Sequence, residues 1–170
     1  MIAPVRSSVE RAPEDVDNPA VAVVYAHWRE KAGDRWAPAW RDMDIMALPG
    51  PLIPYVVVCD VADGGEFIYR YWGRGHTEYH GVDFSYKPLS SMSREWVRKL
   101  LLDQYQHVLE ARKPLVFETQ YTGMERPLYS IRLPLSDDGE NVTGIFGVAE
   151  RRGVSEDLAK WLVENKEATR

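Results

Sequence analysis

The sequence predicts an α+β domain: a five-stranded antiparallel sheet with helices packed on one face and a flanking helix on the N-terminal side. Three observations predict it. Residues 55–61 and 66–72 are β-type runs joined by Asp63-Gly64-Gly65, which supplies the positive-φ freedom of a hairpin turn. Residues 115–121, 128–135 and 142–149 are three more such runs separated by turn-forming residues. Between the two groups lies one long segment with helical periodicity, residues 93–112.

The chain has 170 residues, enough for one domain that buries about 70% of its unfolded surface. Its hydrophobic fraction of 45% and charged fraction of 28% are those of a globular protein. A net charge of −5 argues against nucleic acid as a partner, because phosphate binding needs a basic footprint. No apolar run approaches the roughly 18 residues of a membrane span, and the N-terminal residues lack the apolar stretch of a signal peptide. The single cysteine, Cys59, excludes an intramolecular disulfide and a thiolate metal cage. A cytoplasmic address is the expectation. Six Trp and nine Tyr serve either core and rim packing or an aromatic ligand pocket.

Residues 1–17, rich in Pro, Ser and charge, read as a flexible arm. Asn18-Pro19 has the form of an N-cap followed by proline at the first helical position. Val21, Val24, Tyr25 and Trp28 recur at i, i+3, i+4 and i+7, giving one apolar helical face that Gly33 terminates. This 18–32 helix either packs on the outer face of the sheet or pairs with its copy in a homodimer. Residues 34–54 form a proline-rich irregular linker. Within it Arg41, Asp42 and Asp44 are a cap and salt-bridge cluster around a one-turn helix at 42–48, or a polar latch at a binding site.

The central hairpin follows. Its first arm is apolar and β-branched, and its second alternates Phe67, Tyr69 and Tyr71 with Ile68, Arg70 and Trp72. A hairpin alone is marginal in water, so the rest of the chain must cover it. Residues 73–81 read as a short polar helix. The Gly73-Arg74-Gly75 pair lacks the third glycine or the Lys-Ser/Thr ending of a phosphate loop. His76 and His80 share a face, but a metal would need further ligands, with Glu78 and Asp83 the carboxylates at hand. The pair is read as polar surface with no metal.

Ser93 offers an N-cap for the long helix, whose buried stripe is Val97, Leu100, Leu101, Gln104, Tyr105 and Val108. His107 borders that stripe as a hydrogen-bonded edge residue rather than a haem ligand, and Lys113-Pro114 stops the helix. Gly144 and Gly147 in the last strand mark a bulge or the close approach of a ligand. Ser155 caps a short C-terminal helix with Glu156 and Asp157 at its positive end. The domain thus spans 18–150, with a short helix and tail at 151–170.

Several short motifs occur in a fixed order: Tyr25-Ala-His-Trp28-Arg29, Pro38-Ala-Trp-Arg41-Asp42-Met-Asp44, Leu48-Pro49, Tyr69-Arg70-Tyr-Trp-Gly73, Leu133-Pro-Leu-Ser-Asp-Asp-Gly139 and Ile145-Phe-Gly147. Over roughly residues 18–150 this order resembles the PAS-like family, in particular its single-domain bacterial members. The chain departs from that pattern at Ile45, where the family continues with proline. The resemblance implies a sensing or interaction module, involved in signalling, with a cavity between sheet and long helix. It leaves the cofactor unknown. Cys59 lies in the first hairpin strand, not in a helix, which gives no support to a photoreactive flavin site.

The inward-facing apolar and aromatic residues expected to line that cavity are Tyr69, Tyr71, Trp96, Leu100, Tyr105, Phe117, Tyr129, Ile131 and Phe146. Arg70 and Arg132 lie one step out of phase. A one-residue change of phase would bring them inside, where they suit a carboxylate. Two functions follow. In one, the module binds a small molecule and transmits through a dimer or an unidentified signalling partner. In the other, it is a protein-interaction or dimerisation module with a filled core and no ligand. No catalytic residues present themselves, since no nucleophile comes with an oriented base.

Overall fold

The structure, a computed structural model, describes residues 4–166. The ends of the expected arm and tail, residues 1–3 and 167–170, lie outside the described residues. Strand β1 (Val5–Arg11) leads into helix α1 (Pro19–Ala32). The hairpin β2 (Val56–Val61) and β3 (Phe67–Trp72) is followed by the short helix α2 (Arg74–His80) and the long helix α3 (Glu95–Ala111). Strands β4 (Leu115–Tyr121), β5 (Leu128–Leu135) and β6 (Gly144–Ala149) come next, and helix α4 (Val154–Glu164) closes the chain.

The strands form one open antiparallel sheet in the order β1-β4-β5-β6-β2-β3. It has six strands, not the five expected, and β1 is the addition. Residues read as a flexible arm pair with β4, Arg11 opposite Val116 and Ser8 opposite Thr119, and the two hydroxyls of the latter pair lie 3.1 Å apart. Almost all of β1 is solvent-exposed, so no apolar alternation announces it in the sequence.

Both sheet faces are covered, because alternate residues of the central strands feed two different cores. On one face Val56, Val58, Ile131, Leu133 and Phe146 meet α1 and α4 through Val24, Trp28 and Leu158. On the other Val57, Cys59, Tyr69, Phe117 and Ile145 meet α3 through Val97, Tyr105 and Val108. The hairpin turn uses Gly64 and Gly65 at φ of 81° and 83°.

The expected cap of α1 is present: Asn18 Oδ1 accepts from the Val21 N–H at 3.1 Å. Of the two arrangements open to this helix, the intramolecular one is adopted. Val21, Val24 and Trp28 are 2%, 0% and 7% exposed against the chain's own sheet, so this face offers nothing to a second copy. The Trp28 indole donates to the Pro134 carbonyl at 2.8 Å and ties α1 to β5.

The linker forms 3-10 turns at Trp40–Asp42, Ile45–Ala47 and Gly50–Tyr55 instead of one turn at 42–48. Asp42 accepts from Arg35 at 2.8 Å and from the Ala39 N–H at 2.9 Å, so its ionic partner is Arg35 and not Arg41. Asp44 caps the following turn through the Met46 N–H. Three bonds staple the linker to the β5–β6 turn: Trp36 donates to the Gly139 carbonyl, Asp137 accepts from the Trp40 N–H, and the Ser136 N–H donates to the Pro38 carbonyl. Helix α3 begins with Arg94 rather than Ser93 at its cap, and Gly153 precedes α4 while the Ser155 hydroxyl binds Glu150. No helix among the described residues is long and apolar enough to cross a membrane.

Trp28→Phe keeps an aromatic ring in the core but removes the indole bond to β5 and part of the ring's packing volume. We expect it to lower unfolding stability by about 1–2 kcal/mol, as a fall in the urea midpoint with unchanged slope.

Candidate functional site

Four of the nine residues expected in the sheet–helix cavity are in the α3-side core: Tyr69, Tyr105 and Phe117 are buried, and Trp96 packs partly buried against them. Leu100 is half-buried on α3. The other four lie on the opposite face. Ile131, Phe146, Tyr129 and Tyr71 belong to the α1-side core. Tyr71 is turned by a bulge: Cys59 faces Tyr69 and Val58 faces Tyr71, so Arg70 is an extra residue that reverses the alternation. In β5 the phase is one residue off, because the apolar residues Tyr129 and Ile131 serve the α1-side core. Phe146 sits in a strand buried at every position, which carries no alternation to read.

The corrected phase brings Arg132 inside, at 2% exposure. Its Nε–H donates to Gln104 Oε1 at 3.0 Å, and its guanidinium lies 5.2 Å from the centre of the Tyr105 ring. Gly147 makes room for it, since a Cβ there would stand 2.7 Å from Arg132 Nη1. Arg70 stays outside in an exposed ion pair with Asp60 at 2.8 Å. Around Arg132 the interior is filled: Phe67 and Tyr105 pack with ring centres 5.2 Å apart, and the Tyr69 and Tyr105 hydroxyls are 3.2 Å apart.

Open space lies at the end of the sheet where β2 and β5 begin and β4 and β6 finish. A cavity of about 400 Å³ is lined there by Tyr55, Tyr79, Tyr121, Met124, Leu128 and Arg151, among others. Tyr121 and Leu128 are in step with Phe117 and Arg132, so the cavity continues the face that α3 covers further along. A neighbouring cleft of about 610 Å³ shares Met124, Leu128, Arg151 and Arg152 but also carries Asp17, Glu125, Glu150 and Glu156.

Arg151 organises the inner wall of the smaller cavity. Its guanidinium stands 4.1 Å from the Tyr79 ring centre, and its Nη2 lies 3.5 Å from His76 Nδ1 and 3.4 Å from His80 Nε2. Its Nε–H is buried and has no acceptor, and no ion pair among the described residues involves Arg151 or Arg132. His76 Nε2 lies 2.9 Å from the Tyr55 carbonyl and must donate to it, which leaves Nδ1 as the acceptor toward Arg151. Burial, reinforced by Arg151, pushes His76 down to about 3 and His80 down to about 4, so both imidazoles are neutral at physiological pH. Trp72 packs against both rings and Phe84, its own indole N–H buried without an acceptor.

The His76–His80 pair therefore shares a face as expected, but it is not the polar surface expected: His76 is 2% exposed, and the group between the two rings is a cation. The Gly73-x-Gly75 pair has a packing explanation. A Cβ on Gly73 would stand 2.2 Å from the Pro54 carbonyl oxygen, and one on Gly75 2.5 Å from the Tyr55 ring. The glycines let α2 start directly against the segment entering β2. Sequence reasoning missed Arg151 itself, whose signal was its position in step with Ile145 and Gly147, two residues past an apolar strand. No protein-family model matches the chain, and no curated protein matches it in sequence.

Gly73→Ala must move backbone on one side, and we expect a loss of about 1–3 kcal/mol in chemical denaturation. The depressed His76 predicts a pH effect of definite sign. The unfolded chain takes up protons first as pH falls below the ordinary 6.5, so His76 leaves stability unchanged above that value and lowers it from there toward about 3. The limiting slope is about 1.4 kcal/mol per pH unit, and His80 adds in the same direction. Urea denaturation of wild type and His76→Gln at pH 7.5, 6 and 5 should show the variant closing on, or passing, wild type as the solution is acidified.

Proposed function

We infer that this chain is a small-molecule-binding signalling module of PAS-like architecture, and that its ligand enters the cavity beside Arg151. One observation carries the reading: a 400 Å³ cavity on the α3 face ends on a guanidinium with no carboxylate partner and a buried, unused N–H. Buried donors are ordinarily satisfied, and a concave, largely apolar site with a few convergent polar groups is the usual form of a ligand pocket. The PAS-like frame is supported by the motif order in the sequence and by the antiparallel sheet with one long helix across a face. Strand β1 is an addition to that frame. The ligand site is displaced from the filled region under α3 to the end of the same sheet face.

The route outward runs through the residues that follow Arg151. Two residues on, Gly153 at φ 87° starts α4, whose Val154 and Leu158 are buried with α1 residues in one core. A ligand that pulls on Arg151 favours one seating of α4 over another, and shifts the population only by its difference in affinity for the two. A partner or a second copy would read that seating. The pure interaction module has less support, since the apolar face of α1 is buried in the chain's own core.

Ligand-observed NMR with a mixed fragment library tests the reading. Fragments should bind wild type and be lost from Leu128→Trp, which fills the cavity. An absence of binders, or the same binders on both proteins, would sink it.

A further inference from the structure

We propose that the cavity takes a carboxylate carried on a flat apolar body, with the carboxylate seated on Arg151. The proposal rests on the ligand-binding reading above and adds the chemical class. Four observations on the page converge on it.

The first is charge. Neither Arg151 nor Arg132 forms an ion pair among the described residues, and Arg132 is close enough to act on Arg151. Burial and Arg132 work against the cation of Arg151, and only the phenols of Tyr121 and Tyr79 favour it. A desolvated guanidinium without a counter-ion is the state that an anionic ligand relieves.

The second is geometry. Tyr79 braces one face of the guanidinium, and the two neutral imidazoles meet Nη2. The Tyr121 hydroxyl is a further hydrogen-bond partner, and the donor left without an acceptor is the buried Nε–H. A planar fork with free N–H groups matches two oxygens of one carboxylate.

The third is the rest of the wall. Tyr55, Met124 and Leu128 present ring and apolar surface around the space in front of Arg151. That surface suits an aromatic or otherwise flat body. The donors on the wall, Arg152, Thr122 and the phenols of Tyr79 and Tyr121, are few beside that apolar surface, so a flat acid buries more of it than a phosphate does.

The fourth is the contrast with the adjoining cleft. That cleft carries four carboxylates, Asp17, Glu125, Glu150 and Glu156. These face three guanidiniums, Arg126, Arg151 and Arg152, whereas the smaller cavity has Arg151 and Arg152 and no carboxylate in its lining, so an acid is favoured in the smaller cavity.

The experiment is calorimetric titration of the full chain with phenylacetate and indole-3-acetate, with their uncharged amides, and with inorganic phosphate. Wild type should bind at least one acid about 10–100-fold more tightly than its amide, the range set by a charge-assisted pair. Arg151→Gln, checked for fold by circular dichroism, should abolish that preference. Arg151→Lys keeps the charge without the fork and should retain only part of it. Phosphate should bind more weakly than the acids. Amides that bind wild type as tightly as the acids, and are lost from Leu128→Trp, would overturn the carboxylate while leaving the cavity as the site. Phosphate binding as tightly as the acids, or an acid preference that survives Arg151→Gln, would also overturn it. Failure of every acid and amide to bind, in a protein whose fragments do bind and are lost from Leu128→Trp, would overturn the class alone. The same failure with no Leu128→Trp-sensitive binder at all would overturn both readings.

Discussion

Burial of the sheet on both faces is the constraint from which the rest of this structure follows. A strand buried on one side needs an apolar residue at every second position; a strand buried on both needs a suitable residue at each. Strand β6 meets that demand with Gly, Ile, Phe, Gly, Val and Ala, all buried. The long irregular linker follows from the same demand. Residues between α1 and β2 must cover a sheet face without forming a regular element, so they are held by bonds to the β5–β6 turn at Pro38, Trp40 and Trp36. Helix α1 is fastened to β5 through Trp28, and its apolar stripe is consumed within the chain.

Against that apolar background the polar interior stands out. Arg132 enters the α3-side core between Gln104, Tyr105 and a glycine whose missing Cβ leaves it room. Arg151 follows at the sheet end with two imidazoles held neutral. Such groups contribute little to stability, because removing a charge from water opposes folding unless a partner compensates it. Apolar residues of similar size would serve the fold as well or better. That imbalance is the physical reason to look for the compensating charge outside the chain.

The elements were legible because their signals are local. Apolar periodicity, Asn18-Pro19, Gly33 and the Asp63-Gly64-Gly65 turn each decide a boundary with nearby residues alone. The strands of the hairpin and of the last third fell where alternation put them. What alternation cannot say is which of two cores a buried face belongs to. Ile131 is rightly read as buried and Tyr129 is partly so, yet they serve α1, and polar Arg132 is the residue turned toward α3. The bulge at Arg70 moved Tyr71 for a reason that depends on β2, not on β3. Strand β1 was invisible because its stability comes from ladder bonds to β4, and exposed side chains leave no pattern. The candidate site was half legible: the shared face of His76 and His80 could be read, while their meeting with Arg151 depends on a contact across more than 70 positions of sequence.

Cys59 illustrates what a doubly buried strand does to a reactive group. It is wholly buried on β2, opposite Tyr69 on one side and Ile145 on the other, and burial pushes its thiol up to about 12. Only the thiolate attacks disulfides, alkylating reagents or peroxide, so in the closed sheet this sulfur is chemically silent. It becomes reactive when β2 parts from its neighbours. As the chain's only cysteine, it is a single-site clock for that opening: the speed at which the native protein takes up a thiol reagent measures how often the middle of its sheet comes apart.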